Sequence, residues 1–580
     1  MLPDFYSLEE FKLKLTAHLT HLYPDADIAA LADACIEAIG ERMYLDSPPP
    51  LSLWSQQDVL LITYGDTLRE STKKPLEILQ GFLHDRLQYV FTAVHILPFF
   101  PYSSDDGFAV KDYSTVNPEL GTWQDISNIA EDFRLMADLV INHCSSHHPW
   151  FKNFQYVKDP GKTYFVEADP NYDLSKVVRP RATPLLRPVE TTDGIKFVWC
   201  TFSDDQIDLN FSNTDVLLEF LRIIALYLEK GVQWIRLDAV AYLWKTIGTR
   251  CIHLPQTHEI IKLLRLMMEY KNPFALLITE TNVPHSENLS YFGNYNEAHI
   301  IYNFSLPPLV LDALMSGNSK YLKRWMMSMP PPPSGCCYLN FTASHDGIGL
   351  RPAEGLLSEQ ELNGLLETMK KFGGRISTRS NNGQESPYEI NISLFDAMKG
   401  THKGTDKWQI ERFICSQIIM MSVEGIPAFY IHSLLATPNN FDTLEATQQN
   451  RSINRYHWEF AEIDYLLQKS DTTHAQVFKE MCRLIKIRRR QPAFHPNATQ
   501  FTLQLKPELF GFWRQSIKRD QSIFCINNLS DLPQELDLSD LNLISIDKWR
   551  DLISGEEIKD IYDTCTLQPY QCMWISNNIF

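Results

Sequence analysis

The sequence predicts an α/β protein built on a (β/α)8 TIM barrel. Three observations carry this. Short apolar runs rich in Val, Ile, Leu and aromatics recur along the chain, most are followed by a longer helix-like stretch, and eight such units occur before the pattern changes. Strands alternating with helices imply a parallel sheet with crossover connections, and eight units favour a closed barrel over an open sheet.

The elements follow in order. Residues 1–55 read as a helical extension. Phe11, Leu13, Leu15, Leu19 and Leu22 recur near helical spacing, Ala29–Ile39 forms a second amphipathic stretch, and Ser47-Pro-Pro-Pro50 breaks the chain. The barrel is expected over 56–492. Its strands are expected at Val59–Tyr64, Tyr89–Leu97, Leu135–Ile141, Val232–Leu237, Ala275–Thr279, His299–Asn303, Tyr338–Thr342 and Ile426–Ile431. Two connections are too long for plain loops, 144–210 after the third strand and 347–408 after the seventh. Both read as inserted subdomains or lids. Over 493–580, FTLQLKPELFGFWRQ, SIFCINNL and QCMWIS alternate with the period of strands, so a small β domain is expected to close the chain.

Composition narrows the function. A chain of 580 residues with 44% hydrophobic and 21% charged residues suits a soluble globular protein with a sizeable core. The net charge of −18 repels phosphate backbones, so no nucleic-acid partner is expected. The same charge repels a free phosphate ion, so any anion site must be built locally. Eleven cysteines, an odd number without a CxxC pair, read as free thiols in a reducing compartment. The N-terminus has acids where a signal peptide is basic, and no apolar run reaches the ~18–20 residues of a bilayer span. A cytoplasmic protein with no membrane partner is therefore expected. The sequence carries no signal for an oligomeric state.

In a barrel of this kind the C-terminal ends of the strands hold the site. The third strand runs into Ile141-Asn142-His143, the fourth into Ile235-Arg236-Leu237-Asp238, the fifth into Ile278-Thr279-Glu280 and the seventh into Ser344-His345-Asp346. Any one of these carboxylates alone could cap a helix or pair with a neighbouring Arg. Three together at equivalent strand ends point to chemistry. Retaining glycosidases need two carboxyl groups roughly 5 Å apart, one attacking the anomeric carbon and one exchanging a proton with the leaving or entering oxygen. Arg236 lies two residues before Asp238, hence on the same barrel face, where its charge would hold Asp238 ionised.

Asn142-His143, Gly231–Ala239, Glu280 and His345-Asp346 resemble, in order, the four short signature regions of the α-amylase superfamily. LITYGD (61–66), HILPFFPYSSDDGF (95–108), RPR (179–181), RLDAVAY (236–242), SHDGIGL (344–350), SPYEIN (386–391) and RSINR (451–455) narrow the resemblance to the sucrose phosphorylase branch. The resemblance implies Asp238 as nucleophile, Glu280 as acid/base and Asp346 as stabiliser of the transition state. It implies that Asp105 and Arg451 hold the far hydroxyls of the glucosyl unit. Phe108 would pack on the sugar face, with His143 and His345 on nearer hydroxyls and Phe202 and Gln206 lining the pocket. Arg181, Tyr242 and Tyr388 would touch phosphate.

The acceptor side departs from a sucrose enzyme. Two residues after Glu280 sucrose phosphorylases carry His, and here stands Asn282. Around the loop Tyr they carry Asp and Gln, and here stand Ser386 and Glu389. Loss of the loop Asp removes an acceptor for sugar hydroxyls and a charge that would repel an anionic aglycone. These departures resemble the glucosylglycerate phosphorylases of the branch. The reaction implied is retaining double displacement of 2-O-α-glucosylglycerate by phosphate, giving α-glucose 1-phosphate and glycerate. Sucrose or glucosylglycerol phosphorolysis, and a retaining α-glucoside hydrolase or transglucosidase, remain open at this point. Arg375 and Arg379 are candidates to grip the glycerate carboxylate, the alternative being that one or both lie on a solvated face, and Asn382-Gly383 suggests a tight turn or a mobile tip. Gly373-Gly374 is too short for a phosphate loop, and the adjacent His147 and His148 do not converge on one ion. Neither metal nor cofactor is expected.

Overall fold

The computed structural model describes residues 7–43, 52–181, 183–381, 384–544 and 548–578. The proline break at 47–50 and the Asn382-Gly383 turn lie outside them.

Eight parallel strands close a barrel. They are β1 (Leu60–Thr63), β2 (Ala93–Ile96), β3 (Arg134–Leu139), β4 (Val232–Leu237), β5 (Leu276–Thr279), β6 (Ile300–Tyr302), β7 (Cys337–Asn340) and β8 (Ile426–Tyr430). β1 pairs with both β2 and β8, which closes the ring. The strands are covered on both faces, so they are nearly continuously apolar. A polar residue within such a run therefore has to find a partner inside the barrel. The register supplies one, setting Asp138 of β3 opposite Arg236 of β4.

The second strand is shorter than its apolar run. Tyr89 is 74% exposed, because Leu83–Leu87 is still helical and Val90 N–H bonds back to Leu87 O. Extended pairing begins only at Ala93.

The N-terminal helices α1 (Leu8–Leu22) and α2 (Ile28–Ile39) lie against barrel helices. Ser7 and Glu10 form a capping box that starts α1. Phe11, Leu15, Leu19 and Leu22 form its buried stripe, whereas Leu13 falls off it and is 72% exposed. α1 meets helix Pro255–Lys271, with Phe11 stacked on Tyr270 at 4.1 Å, and α2 meets helix Thr214–Glu229.

The insert after β3 holds helix Pro149–Gln155 and a hairpin of Leu186–Thr191 with Gly194–Trp199. A short antiparallel pair, His143–Ser145 with Gln206–Asp208, fastens its two ends together. The insert after β7 holds helix Glu359–Lys371 and a three-stranded sheet in the order Ile348–Gly349, Gln384–Asn391, Arg375–Asn381. In its hairpin Ser377 pairs with Glu389 but Thr378 with Pro387, so Tyr388 is an extra residue in a bulge. A six-stranded sheet built from Thr499–Thr502, Leu509–Gln515, Ser522–Asn528, Cys572–Ser576, Trp549–Asp551 and Glu557–Ile558 ends the chain. Among the described residues no helix is long and apolar enough to cross a membrane.

Candidate active site

The pocket lies at the C-terminal ends of the strands. Its wall includes Asp238, Glu280 and Asp346, from the ends of β4, β5 and the segment after β7. Asp105, Phe108, His143, Phe202, Gln206, His345, Arg451, Arg181, Tyr242, Tyr388 and Asn282 line it too. Residues far apart in sequence thus reach one place because each follows or flanks a strand end.

Its floor is a buried charge network. Arg236 is fully buried and bonds to Asp138 across the strand pair and to Asp238 at 2.9 Å. Its second Nη lies 3.8 Å from Glu280. His95 of β2 donates through Nε2 to Asp138 at 2.7 Å. Burial alone would raise the Asp138 carboxyl, but Arg236 and His95 outweigh it and hold it at about 2. Sequence reasoning missed Asp138 and His95. The signal was present: a lone acid in LMADLV and a lone imidazole in AVHIL, each inside an apolar strand. Breaking a buried pair leaves an uncompensated charge, so Asp138→Ala is expected to lower stability by about 3–5 kcal/mol. Denaturant unfolding would read this as a lower midpoint at unchanged slope. A midpoint equal to wild type would show that Arg236 does not depend on Asp138.

The carboxylates differ in surroundings. Glu280 is buried, which raises its pKa; Arg236 opposes this and Asp346 adds to it, and the net shift is upward. Asp238 is also pushed up by burial, with Arg236 opposing and Glu280 repelling. The two therefore compete for one proton. Asp238 has the direct 2.9 Å ion pair, whereas the same cation stands 3.8 Å from Glu280. Burial and the neighbouring acids push Asp238 well above the carboxylate range, so Arg236 does not by itself keep it ionised as its place in the sequence suggests; the 2.9 Å pair is what favours the charged form at Asp238 and the proton on Glu280. Burial would raise Asp346 as well, but Arg451, Arg455 and Arg236 hold it below the usual carboxylate range. Arg451 Nη1 stands 2.5 Å from Asp346 Oδ1. Ala239, just after Asp238, is left-handed at φ 49°, and its N–H donates to Glu280 at 3.2 Å. That strained turn joins the two carboxylates.

One wall of the pocket is built around aromatic rings and imidazoles. Phe108 stacks on His345 at 5.0 Å and 6°. Burial lowers the pKa of both His143 and His345, for His345 with the help of Arg455 and Arg236, so both imidazoles are neutral near pH 7. His143 Nε2 donates to Phe108 O at 3.1 Å, and Gln206 Nε2 donates to Asp105 at 3.3 Å. Asp105 sits in a left-handed pair with Asp106, whose carboxylate takes a 2.6 Å bond from Arg455.

On the remaining wall Arg181, Tyr242, Tyr388 and Asn282 line the pocket as expected, whereas Ser386, Glu389, Arg375 and Arg379 do not. Arg181 stands over the Tyr388 ring at 5.9 Å. Tyr388 reaches the wall from the hairpin bulge, a device that re-aims a side chain. Burial raises both Tyr242 and Tyr388, so each keeps its proton to donate. Asn282 packs against Gly349, where a Cβ would come within 2.7 Å of its amide. Glu389 does not face the pocket. It is 1% exposed and takes a bidentate fork from Arg451, at 3.1 and 2.8 Å, and the Gly347 N–H at 2.7 Å. It positions Arg451. Ser386 accepts from Arg379 Nε at 3.3 Å, and Arg379 also bonds Glu354 at 2.7 Å, just outside the pocket. Arg375 is not brought to the site. It is exposed, leans on the Gly373 and Gly374 carbonyls and faces a cleft with Asn363 and Lys370. Four residues of extended strand, ~13 Å, separate it from Arg379.

A closed parallel barrel with carboxylates presented after β4, β5 and β7 defines an α-amylase-type (β/α)8 enzyme. The family model for the α-amylase catalytic domain matches residues 63–330, and that for the maltogenic amylase C-terminal domain matches 500–574. A glucosylglycerate phosphorylase of Allomeiothermus silvanus is 42% identical over 90% of this chain and 91% of its own length. One of Escherichia coli (strain K12) is 40% identical over 97% and 100%. The crystal structure of sucrose 6F-phosphate phosphorylase from Thermoanaerobacter thermosaccharolyticum superposes with a TM-score of 0.72 at 26% identity, covering 83% of this chain and 95% of that one. The chain belongs to the α-amylase family, within its group of glucoside phosphorylases.

Proposed function

We propose that the protein is a retaining phosphorylase that cleaves 2-O-α-glucosylglycerate with phosphate to α-glucose 1-phosphate and glycerate. The observation that carries this is the acceptor wall. Arg181 and two buried, protonated phenols, Tyr242 and Tyr388, line one pocket with Glu280. A guanidinium and hydroxyl donors suit an oxyanion that must enter an acidic protein. The relatives named glucosylglycerate phosphorylase, at 40 and 42% identity, support the aglycone.

In the first step Asp238 attacks the anomeric carbon while Glu280 gives its proton to the glycosidic oxygen, and glycerate leaves. In the second step a phosphate oxygen attacks the same carbon from the side glycerate left. The bond to Asp238 breaks, and any proton on the attacking oxygen returns to Glu280. Asp346, held ionised by Arg451, binds sugar hydroxyls more tightly as the ring gains positive charge, which is differential binding. Small-molecule α-glucoside and phosphate are the partners of this reaction. Eleven unpaired cysteines, ten of them buried, support a reducing, cytoplasmic setting.

The aglycone choice is tested with glucosylglycerate, glucosylglycerol and sucrose at saturating phosphate. A kcat/KM on glucosylglycerate at least ~10²-fold above the others is expected, because a site built for polar groups leaves them unpaired with the wrong partner. Equal or better turnover of sucrose would mean that Asn282 and Ser386 do not set the choice.

A further inference from the structure

The reaction needs one anion at a time beside Glu280, and Arg181 with the two phenols supplies its contacts. The structure carries more positive charge than that. Beyond Arg181 the pocket meets a second space of about 1000 Å³, against about 70 Å³ for the inner pocket. Arg179, Arg181, Arg250, Arg351 and Arg379 line it, with Lys176, against two acids, Glu287 and Glu354. These cations come from both long inserts and from the loop after β4, so the cluster is assembled by the fold rather than by one basic run. It stands out in a chain of net charge −18.

The acids do not neutralise it. Arg379 takes Glu354 at 2.7 Å, and Glu287 is shared at 3.8 Å by Arg250 and 3.9 Å by Arg351. Arg351 is 5% exposed, and its Nε has no hydrogen-bond partner among the described residues. The Nε and Nη2 of Arg179 are likewise buried and unpartnered. These nitrogens are sealed from the outer space, so a ligand there would meet the other atoms of Arg179 and Arg351 that line it, beside Arg181, Arg250, Arg379 and Lys176.

We infer that this outer space is a second oxyanion site, which takes a phosphoryl group while the inner pocket holds the reacting centre. The inference rests on the phosphorylase reading above. The group has two possible sources. One is inorganic phosphate, held before it enters. The other is a phosphoryl ester on the acceptor itself, a three-carbon acid whose 2-hydroxyl reaches the glucosyl enzyme. In that case the hydroxyl oxygen bonds the anomeric carbon, the bond to Asp238 breaks, and the hydroxyl proton passes to Glu280. The phosphoryl group is untouched.

Inorganic phosphate titrated calorimetrically onto the whole enzyme tests the site. Wild type is expected to bind two phosphates and Arg179→Gln one, with Arg250→Gln weakening the outer phosphate several-fold. Arg250 is on the exposed rim, so its variant reports even where Arg179→Gln folds poorly. Transfer from α-glucose 1-phosphate to glycerate and to 3-phosphoglycerate separates the sources. If 3-phosphoglycerate is glucosylated, and Arg179→Gln lowers its kcat/KM at least tenfold while glycerate changes less than twofold, the ester is the ligand. If 3-phosphoglycerate is no acceptor while two phosphates still titrate, the ligand is free phosphate. The same phosphate stoichiometry and affinity in wild type and both variants overturns the proposal. Failure of glycerate as acceptor with two phosphates still bound would remove the aglycone reading and leave the outer site.

Discussion

Replacing Asp238 by Asn is expected to lower phosphorolysis by roughly 10⁴-fold or more, the scale seen when one member of a catalytic unit is removed. The substitution is nearly isosteric. The amide oxygen still accepts from Arg236, and Asp138 still pairs with that cation, so the fold and the glucosyl pocket are expected to survive. What is lost is the charged oxygen that bonds the anomeric carbon. The measurement is kcat on glucosylglycerate beside the thermal midpoint and substrate affinity of the same variant. A variant that keeps a tenth of wild-type kcat would take the nucleophile role away from Asp238.

Glu280→Gln is expected to cost roughly 10²–10⁴-fold on glucosylglycerate, the usual worth of a positioned acid. It is expected to cost far less on a donor such as α-glucosyl fluoride, whose leaving group needs no proton. The pH profile carries the sign. Burial and Asp346 raise the Glu280 pKa against the opposition of Arg236, so the group stays protonated above the usual glutamate range. Activity on glucosylglycerate is present below that raised pKa and is lost as pH rises through it. The acid limb belongs to protonation of the coupled pair at Asp238. In Glu280→Gln with the fluoride donor the alkaline limb should vanish. Its persistence there would assign it to another group.

Much of this was legible in the sequence, for a physical reason. Strands buried on both faces must be apolar, so all eight barrel strands announced themselves, Val232–Leu237 to the residue. A polar residue that ends such a run is conspicuous, which is why Asp238, Glu280 and His143 were found. Arg236, inside its run, was found only through its two-residue spacing from Asp238, and the rest of the floor, Asp138 with His95, was missed. Tyr89 misled in the other direction, since a bulky aromatic continues an apolar run whether it lies in a strand or on a helix end. The acceptor side was least legible. The hairpin of Arg375–Asn381 with Gln384–Asn391 is specified by pairing with Ile348–Gly349, a contact between distant segments. The resemblance already put Tyr388 in the site, but only the fold shows that a bulge delivers it, that Glu389 turns away to hold Arg451, and that Arg375 lies elsewhere.

The central claim is that phosphate, rather than water, meets the glucosyl enzyme. It is tested by following glucose and α-glucose 1-phosphate released from 2-O-α-glucosylglycerate as phosphate is raised from zero. The account predicts that turnover depends on phosphate and that α-glucose 1-phosphate is the main product. Arg181→Gln should shift the partition toward glucose. Glucose released at the same rate with and without phosphate would contradict it.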